Sequence, residues 1–308
     1  MTSPRSDTAR GMAAGITAFT LWGLLPGYWK ALGWLSPGQV ICLRALLTVP
    51  VVAGVMAVRG QLRRLLYSMF MKPRVVGLHV LTAALLAGNW LTFVWATHHG
   101  RITEASLGYF LTPLANVAMG ALLLGERLSR GQWLALTFAV AGVAIQMVDA
   151  GKPPWVALAL CVTFAFYGLL RKKASLDSLA GLTVESIVAV PAAFLWLCFN
   201  PPERLASGAV EWSLLLMMGA ITAIPLLGFA TAARMLPLSI VGILQFIAPS
   251  LQFIVGAVIY GEPVTMLRMA GFVFIWAGLI VFTMDAWQRS RRPVVTTEVE
   301  KPLSPDPE

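Results

Sequence analysis

Two ionisable side chains stand inside long apolar runs, Arg44 within residues 39–58 and Glu185 within 180–199. A charge in hydrocarbon is costly, and it is kept where it binds, pairs with or moves something. A guanidinium at Arg44 would attract an anionic or carbonyl-bearing group. A carboxylate at Glu185 would take and release a proton or bind a cationic group. Each stands six residues before a proline, Pro50 and Pro191. Opposite charges at matching positions of two halves suggest a polar cavity between them. For each the alternative is a charge snorkelling to the headgroups or a structural tether. Glu185 could also sit in the first turn of its helix, where the helix dipole favours an acid. Each charge lies a turn or two from its own helix end, and those ends face opposite sides, so direct pairing stays open.

Neutral polar residues extend the set. Asn89, Asn116, Gln245 and Gln252 lie well inside apolar runs, where they either bond across helices as glue or bind substrate. Trp22, Trp90, Trp95, Tyr109 and Tyr167 could line an apolar pocket, whereas Trp155, Trp212 and Trp287 at span ends belong to an interfacial belt. Gly108, Gly120, Gly242 and Gly256 suit close helix contact. The residues expected along a substrate or ion pathway are Arg44, Asn89, Tyr109, Tyr167, Glu185 and Gln245. Glu126 and Glu262 each follow a glycine at a helix end, where capping or orienting the next helix is the ordinary role and direct coupling the alternative.

Other chemistry finds no support. His98-His99 is placed in an external loop, and two adjacent histidines cannot chelate a metal from one helical face. Cys42, Cys161 and Cys198 are widely spaced in apolar runs, with neither a disulfide framework nor a zinc pattern. No phosphate-binding glycine loop, nucleophile elbow or zinc signature occurs, so no enzymatic activity, metal or cofactor is expected.

The elements that must position these residues are membrane spans. Of 308 residues 58% are hydrophobic and 12% charged, about half the charge of an ordinary soluble domain, and mean hydropathy is +0.76. Lipid must be the solvent for much of the surface. Ten apolar runs are long enough to cross, at about 11–32, 39–58, 75–97, 105–124, 131–148, 155–170, 180–199, 212–235, 238–260 and 268–287. The first continues too far for a cleaved signal peptide and is read as an uncleaved helix. Residues 1–10 form a short tail, and the polar 288–308 is expected to be a disordered tail. With both termini cytoplasmic, 17 Lys and Arg fall inside and 5 outside, a strong positive-inside bias. The net charge of +9 is thereby topology information and attraction to anionic lipid, and nucleic-acid binding is not expected.

The chain repeats itself. Residues 110–149 align without gaps with 246–285 at an offset of 136, with ten of 40 positions identical. These include Pro113 with Pro249, Gly125-Glu126 with Gly261-Glu262, Gly142 with Gly278, and Asp149 with Asp285. Two five-helix units follow, 11–149 and 150–287. An odd number of spans per unit makes the second enter from the opposite side. Inverted repeats around one central site are the architecture of many secondary carriers. The other function class is a non-transporting scaffold or sensor that changes drug sensitivity indirectly, and it has no need of such symmetry. A homodimer is compatible with these spans.

The repeated unit, ending in Gly-Glu after a Pro-containing helix, resembles the EamA unit of the drug/metabolite transporter superfamily. GNWLTFVWA at 88–96, EASLGYFLTPL at 104–114, AFYGLLRKK at 165–173, AIPLLGFATAARMLPLS at 223–239 and QFIAPSLQF at 245–253 are similar to the RarD subfamily. The resemblance covers about 11–287 and implies a ten-helix permease of the bacterial inner membrane, of the chloramphenicol-sensitivity type, driven by an ion gradient or by exchange. Thr112 departs from the Asn-Pro-Leu run expected there.

Overall fold

The computed structural model describes residues 4–71, 73–124, 128–173, 175–236, 240–241 and 244–290. Every regular element among them is a helix. In chain order these are α1 (Pro4–Ala31), α2 (Pro37–Val58), α3 (Leu62–Met71), α4 (Pro73–His98), α5 (Ile102–Leu124), α6 (Arg130–Ala150), α7 (Trp155–Lys173), α8 (Ser178–Phe199), α9 (Ala209–Met235), α10 (Ile247–Ile254) and α11 (Met266–Ser290). Six stretches among the described residues are long and apolar enough to span a bilayer, in α2, α4, α6, α8, α9 and α11, and α7 and α10 are shorter apolar helices. The protein is a multi-pass membrane protein.

Helix ends follow local chemistry. Ser36 and Ser129 each accept from the amide three residues on, while Gln39 and Gln132 accept from the Ser amides, closing capping boxes on α2 and α6. Asp177 caps α8 by accepting from Ala180 N at 2.8 Å. Gly151 ends α6 in the left-handed region, which only glycine adopts without cost.

Three elements differ from the sequence-based expectation. Residues 4–10, expected as part of a short tail, are the first turns of α1. Residues 62–71, expected as loop, form α3, a helix too short to span. Leu65 is buried while Arg63 and Arg64 are exposed, so it is a two-sided surface helix. The continuous span expected over 238–260 instead turns at Gln245–Phe246, restarts as α10, and closes in a π-helical turn over Val255–Ile259. Pro249 has no amide for the carbonyl of Gln245, and its ring crowds that carbonyl.

Packing is pairwise. α1 lies along α9 and α10, α7 along α4 and α5, α2 along α8 and α9, α4 along α8, α5 along α10, and α6 along α11. Small residues permit the closest approaches, as expected where lipid supplies no hydrophobic drive between helices. A Cβ on Gly108 would stand 2.7 Å from the Ala157 carbonyl, and one on Gly219 would overlap the Leu47 carbonyl.

The α6–α11 seam has reciprocal contacts. Gly142 faces the Gly271 carbonyl, and Gly278 faces the Ala135 carbonyl. Thr265 donates its hydroxyl to Asp149, and Ser129 donates its own to Asp285. In both cases a shift of 136 residues converts one contact into the other.

Candidate functional site

Glu185 is the eighth residue of α8 and 2% exposed. Its Oε1 accepts the Thr82 hydroxyl at 2.7 Å and its Oε2 the Tyr167 hydroxyl at 3.3 Å. Two cationic-capable groups stand near without hydrogen-bonding. His79 Nδ1 is 3.5 Å and Arg171 Nη1 3.8 Å from Oε1, and both nitrogens lack a hydrogen-bond partner. The site thus joins α4 (His79, Thr82), α7 (Tyr167, Arg171) and α8. Arg171 lies across the first turn of α8, donating Nη2 to the Asp177 carbonyl at 3.2 Å. It can do so because residue 181 is glycine, where a Cβ would overlap the guanidinium.

Arg44 is the eighth residue of α2 and 7% exposed. Its guanidinium carbon lies 3.1 Å from the centroid of the Trp90 ring, a cation–π arrangement. Its Nε has no partner, and among the described residues it forms no ion pair. Arg44 and Glu185 do not pair. Across the α2–α8 contact the two charges occupy equivalent places, one held by an aromatic face and the other by hydroxyls.

Asn89 forms a different junction. Its Nδ2 donates to the Leu160 carbonyl and the Thr163 hydroxyl, both at 2.9 Å, and its Oδ1 accepts from Tyr109 at 3.2 Å. Tyr109 packs edge-on against Phe93 and Phe164. Both side chains thereby tie α4, α5 and α7 together. Gln245 is exposed at the turn before α10 and does not join the Glu185 cluster. Gln252 donates to the Trp22 carbonyl at 3.2 Å, and Asn116 is exposed beside Gly168.

The aromatic residues separate. Trp22 packs with Phe19 and Phe229 between α1 and α9, and Trp95 with Trp155 and His99. His98, placed in a loop by sequence, is the last residue of α4, its Nε2 2.8 Å from the Trp29 carbonyl. Thr112 spends its hydroxyl on the Gly108 carbonyl of its own helix. Pro113 lies inside α5, and Pro249 is buried in α10. Glu262 caps α5, accepting from the Ile102 and Thr103 amides at 2.6 and 2.7 Å. Glu126 lies outside the described residues.

His79, Thr82 and Arg171 were missed by sequence reasoning. The signal for His79 was available: it is an ionisable residue within the run 75–97, which the cost of charge in hydrocarbon marks as a candidate. Thr82 lies three residues on, on the same helical face. Arg171 was counted with the loop cations.

A model of the EamA-like transporter family matches the chain twice, over residues 9–148 and 153–284. The chain is 40% identical over 289 residues to an uncharacterized transporter of Vibrio cholerae, covering 92% of this chain and 95% of that one. It is 37% identical over 290 residues to protein RarD of Salmonella typhimurium, covering 93% and 98%. It is 31% identical over 296 residues to the chloramphenicol-sensitive protein RarD of Pseudomonas aeruginosa, covering 92% and 97%. A crystal structure with 22% identity superposes with a TM-score of 0.61, covering 90% of this chain and 98% of that one, a likeness of fold.

Proposed function

Because this chain belongs to the EamA-like transporter family, we propose that it is a secondary carrier of a small organic molecule, drug or metabolite, working by alternating access between two inverted five-helix repeats. The observation that carries the reading is the reciprocal α6–α11 seam. Contacts that exchange partners under one fixed sequence shift are what a two-fold axis between two copies produces. The other pairings agree. Passing from each span to its repeat partner turns α1–α9 into α7–α4, α5–α7 into α10–α1, and α2–α9 into α8–α4, while α2–α8 and α5–α10 map onto themselves. With that axis in the membrane plane, two such copies give inward- and outward-open states of similar energy.

In this reading the substrate sits between the halves, in a bacterial cytoplasmic membrane. Arg44 receives an anionic or carbonyl-bearing group, with an Nε that Trp90 leaves without a partner, and Glu185 takes and releases a proton or meets a cationic group. Relatives named for chloramphenicol make amphenicols one class to test, beside amino acids and other metabolites. The test is thermal stabilisation of the purified protein across that panel, followed by uptake into vesicles. A ligand at one hundred times its Kd adds about 2.7 kcal/mol to the folded state. Arg44→Ala is expected to abolish both the shift and the uptake. Uptake that persists in a folded Arg44→Ala protein removes the assigned role, and a reconstituted protein that moves nothing from a broad panel favours the scaffold or sensor reading.

A further inference from the structure

Glu185 and His79 bring two titratable side chains from α8 and α4 together in the buried interior. His79 has no exposed area and neither ring nitrogen has a hydrogen-bond partner. An unmade bond of a buried polar group is costly, and such vacancies in a membrane interior mark sites that are used. The groups facing the pair from the surrounding elements are few. α4 adds Thr82, and α7 adds Tyr167 and Arg171. α2 carries Arg44, which lies on Trp90 rather than on the pair. On α9 Glu211 is engaged by Arg204, and on α3 Arg63 and Arg64 are exposed.

We propose that His79 and Glu185 together form the proton-carrying site of the transport cycle, and that Arg171 is the internal cation that reclaims the Glu185 carboxylate when the proton leaves. This rests on the carrier reading above and names its coupling ion. A proton from water adds to Glu185 Oε1 or to the His79 nitrogen facing it, and is released to the other side after the change of access. One O–H or N–H bond forms and later breaks, and no electrons move. A proton on Glu185 removes the negative charge 3.8 Å from Arg171 Nη1, and one on His79 offsets it with a second cation, so in either case the hold on the guanidinium over Gly181 is weakened. Proton release draws it back and closes the α7–α8 end. A metal cation does not fit this site. The two hydroxyls and one carboxylate fall short of the six or more oxygens of a hard cation, and a guanidinium and an imidazole stand within 4 Å of the same carboxylate oxygen.

The experiment needs no substrate. The full chain in liposomes is stepped between acidic and alkaline pH and followed by infrared difference spectroscopy. A carboxylic-acid C=O band is expected that disappears in Glu185→Gln. A two-step titration is expected to collapse to a single step in His79→Gln, because coupled groups titrate as a pair. Arg171→Gln is expected to change the pH dependence of the band, because the cation nearest the carboxylate is gone. Should His79→Gln fail to fold, 15N-histidine NMR of the wild-type protein makes the same test. Its buried ring, distinguished from His98 and His99 by H98Q and H99Q, must titrate in step with the carboxyl band. A band unaffected by Glu185→Gln overturns the proton site. A carboxyl band indifferent to both His79→Gln and Arg171→Gln, or a His79 ring that titrates independently of it, overturns the pair. Either result leaves the carrier reading standing if uptake is found. Absent uptake with an intact coupled titration would instead overturn the carrier reading.

Discussion

Arg44 is held by the face of an indole, which attracts a cation without neutralising it. A carboxylate partner would have satisfied the guanidinium and occupied its donors, whereas Trp90 leaves Nε without a partner. A cation–π contact away from water is worth about 2 kcal/mol. Trp90→Leu is therefore expected to lower the stability of the detergent-purified protein by roughly that amount, and Trp90→Phe by less, because a smaller quadrupole remains. Thermal melting of the three proteins measures the order, and equal melting of Trp90→Leu and Trp90→Phe would leave only ring volume as the cause. At this scale the sequence was legible where contrast is high. Arg44 and Glu185 stand out because everything around them is apolar. Their partners do not. His79 lies more than a hundred residues from Glu185, and no spacing rule reports that α4 and α8 meet. Asn89 illustrates the opposite gap: glue and substrate contact look alike in sequence, and only the filled valences at Leu160, Thr163 and Tyr109 show its donors and acceptor engaged within the bundle.

Among the elements, α6 and α11 carry the clearest local consequence of the repeat. Ser129 and Thr265 each do two tasks with one hydroxyl. Each accepts the amide three residues on in the first turn of its own helix, and each donates to an aspartate near the C-terminal end of the other. Losing a cap costs about 1 kcal/mol and losing a hydrogen bond to a charged group about 1.5–3 kcal/mol. Ser129→Ala and Thr265→Ala are each expected to lower stability by about 2.5–4 kcal/mol, with similar effects by chemical denaturation. A large loss at one position and none at the other would count against the equivalence. Most helices agree with the apolar runs read from sequence, since lipid demands long uninterrupted helices. The exceptions have local causes. α3 is too short and too charged to register as a span, and the broken ninth run follows from Pro249, whereas Pro113 is accommodated inside a continuous α5.

For the whole molecule the decisive question is whether the two halves face the same way or opposite ways, and equivalent loops answer it. Lys152 follows α6 and Gln288 lies near the end of α11, 136 residues later. Arg64 follows α2 and Glu203 follows α8, and all four residues are exposed. If each unit has five spans, a second unit of the same fold must enter from the opposite side, so the members of each pair lie on opposite faces of the membrane. The charge bias then sets the absolute direction, with Lys152 and Glu203 outside and Arg64 and Gln288 inside. Single cysteines at these positions, with Cys42, Cys161 and Cys198 replaced by alanine, test this with a membrane-impermeant maleimide. Lys152→Cys and Glu203→Cys are expected to label in intact cells, and Arg64→Cys and Gln288→Cys only in inverted vesicles. Parallel repeats would label both members of a pair from one face, and the two-fold axis would then run along the membrane normal. That geometry still packs α6 against α11 reciprocally, but it no longer exchanges inside for outside. The labelling pattern therefore separates a symmetric pair of bundles from one whose symmetry can itself generate two access states, with Arg44 and Glu185 placed toward opposite faces.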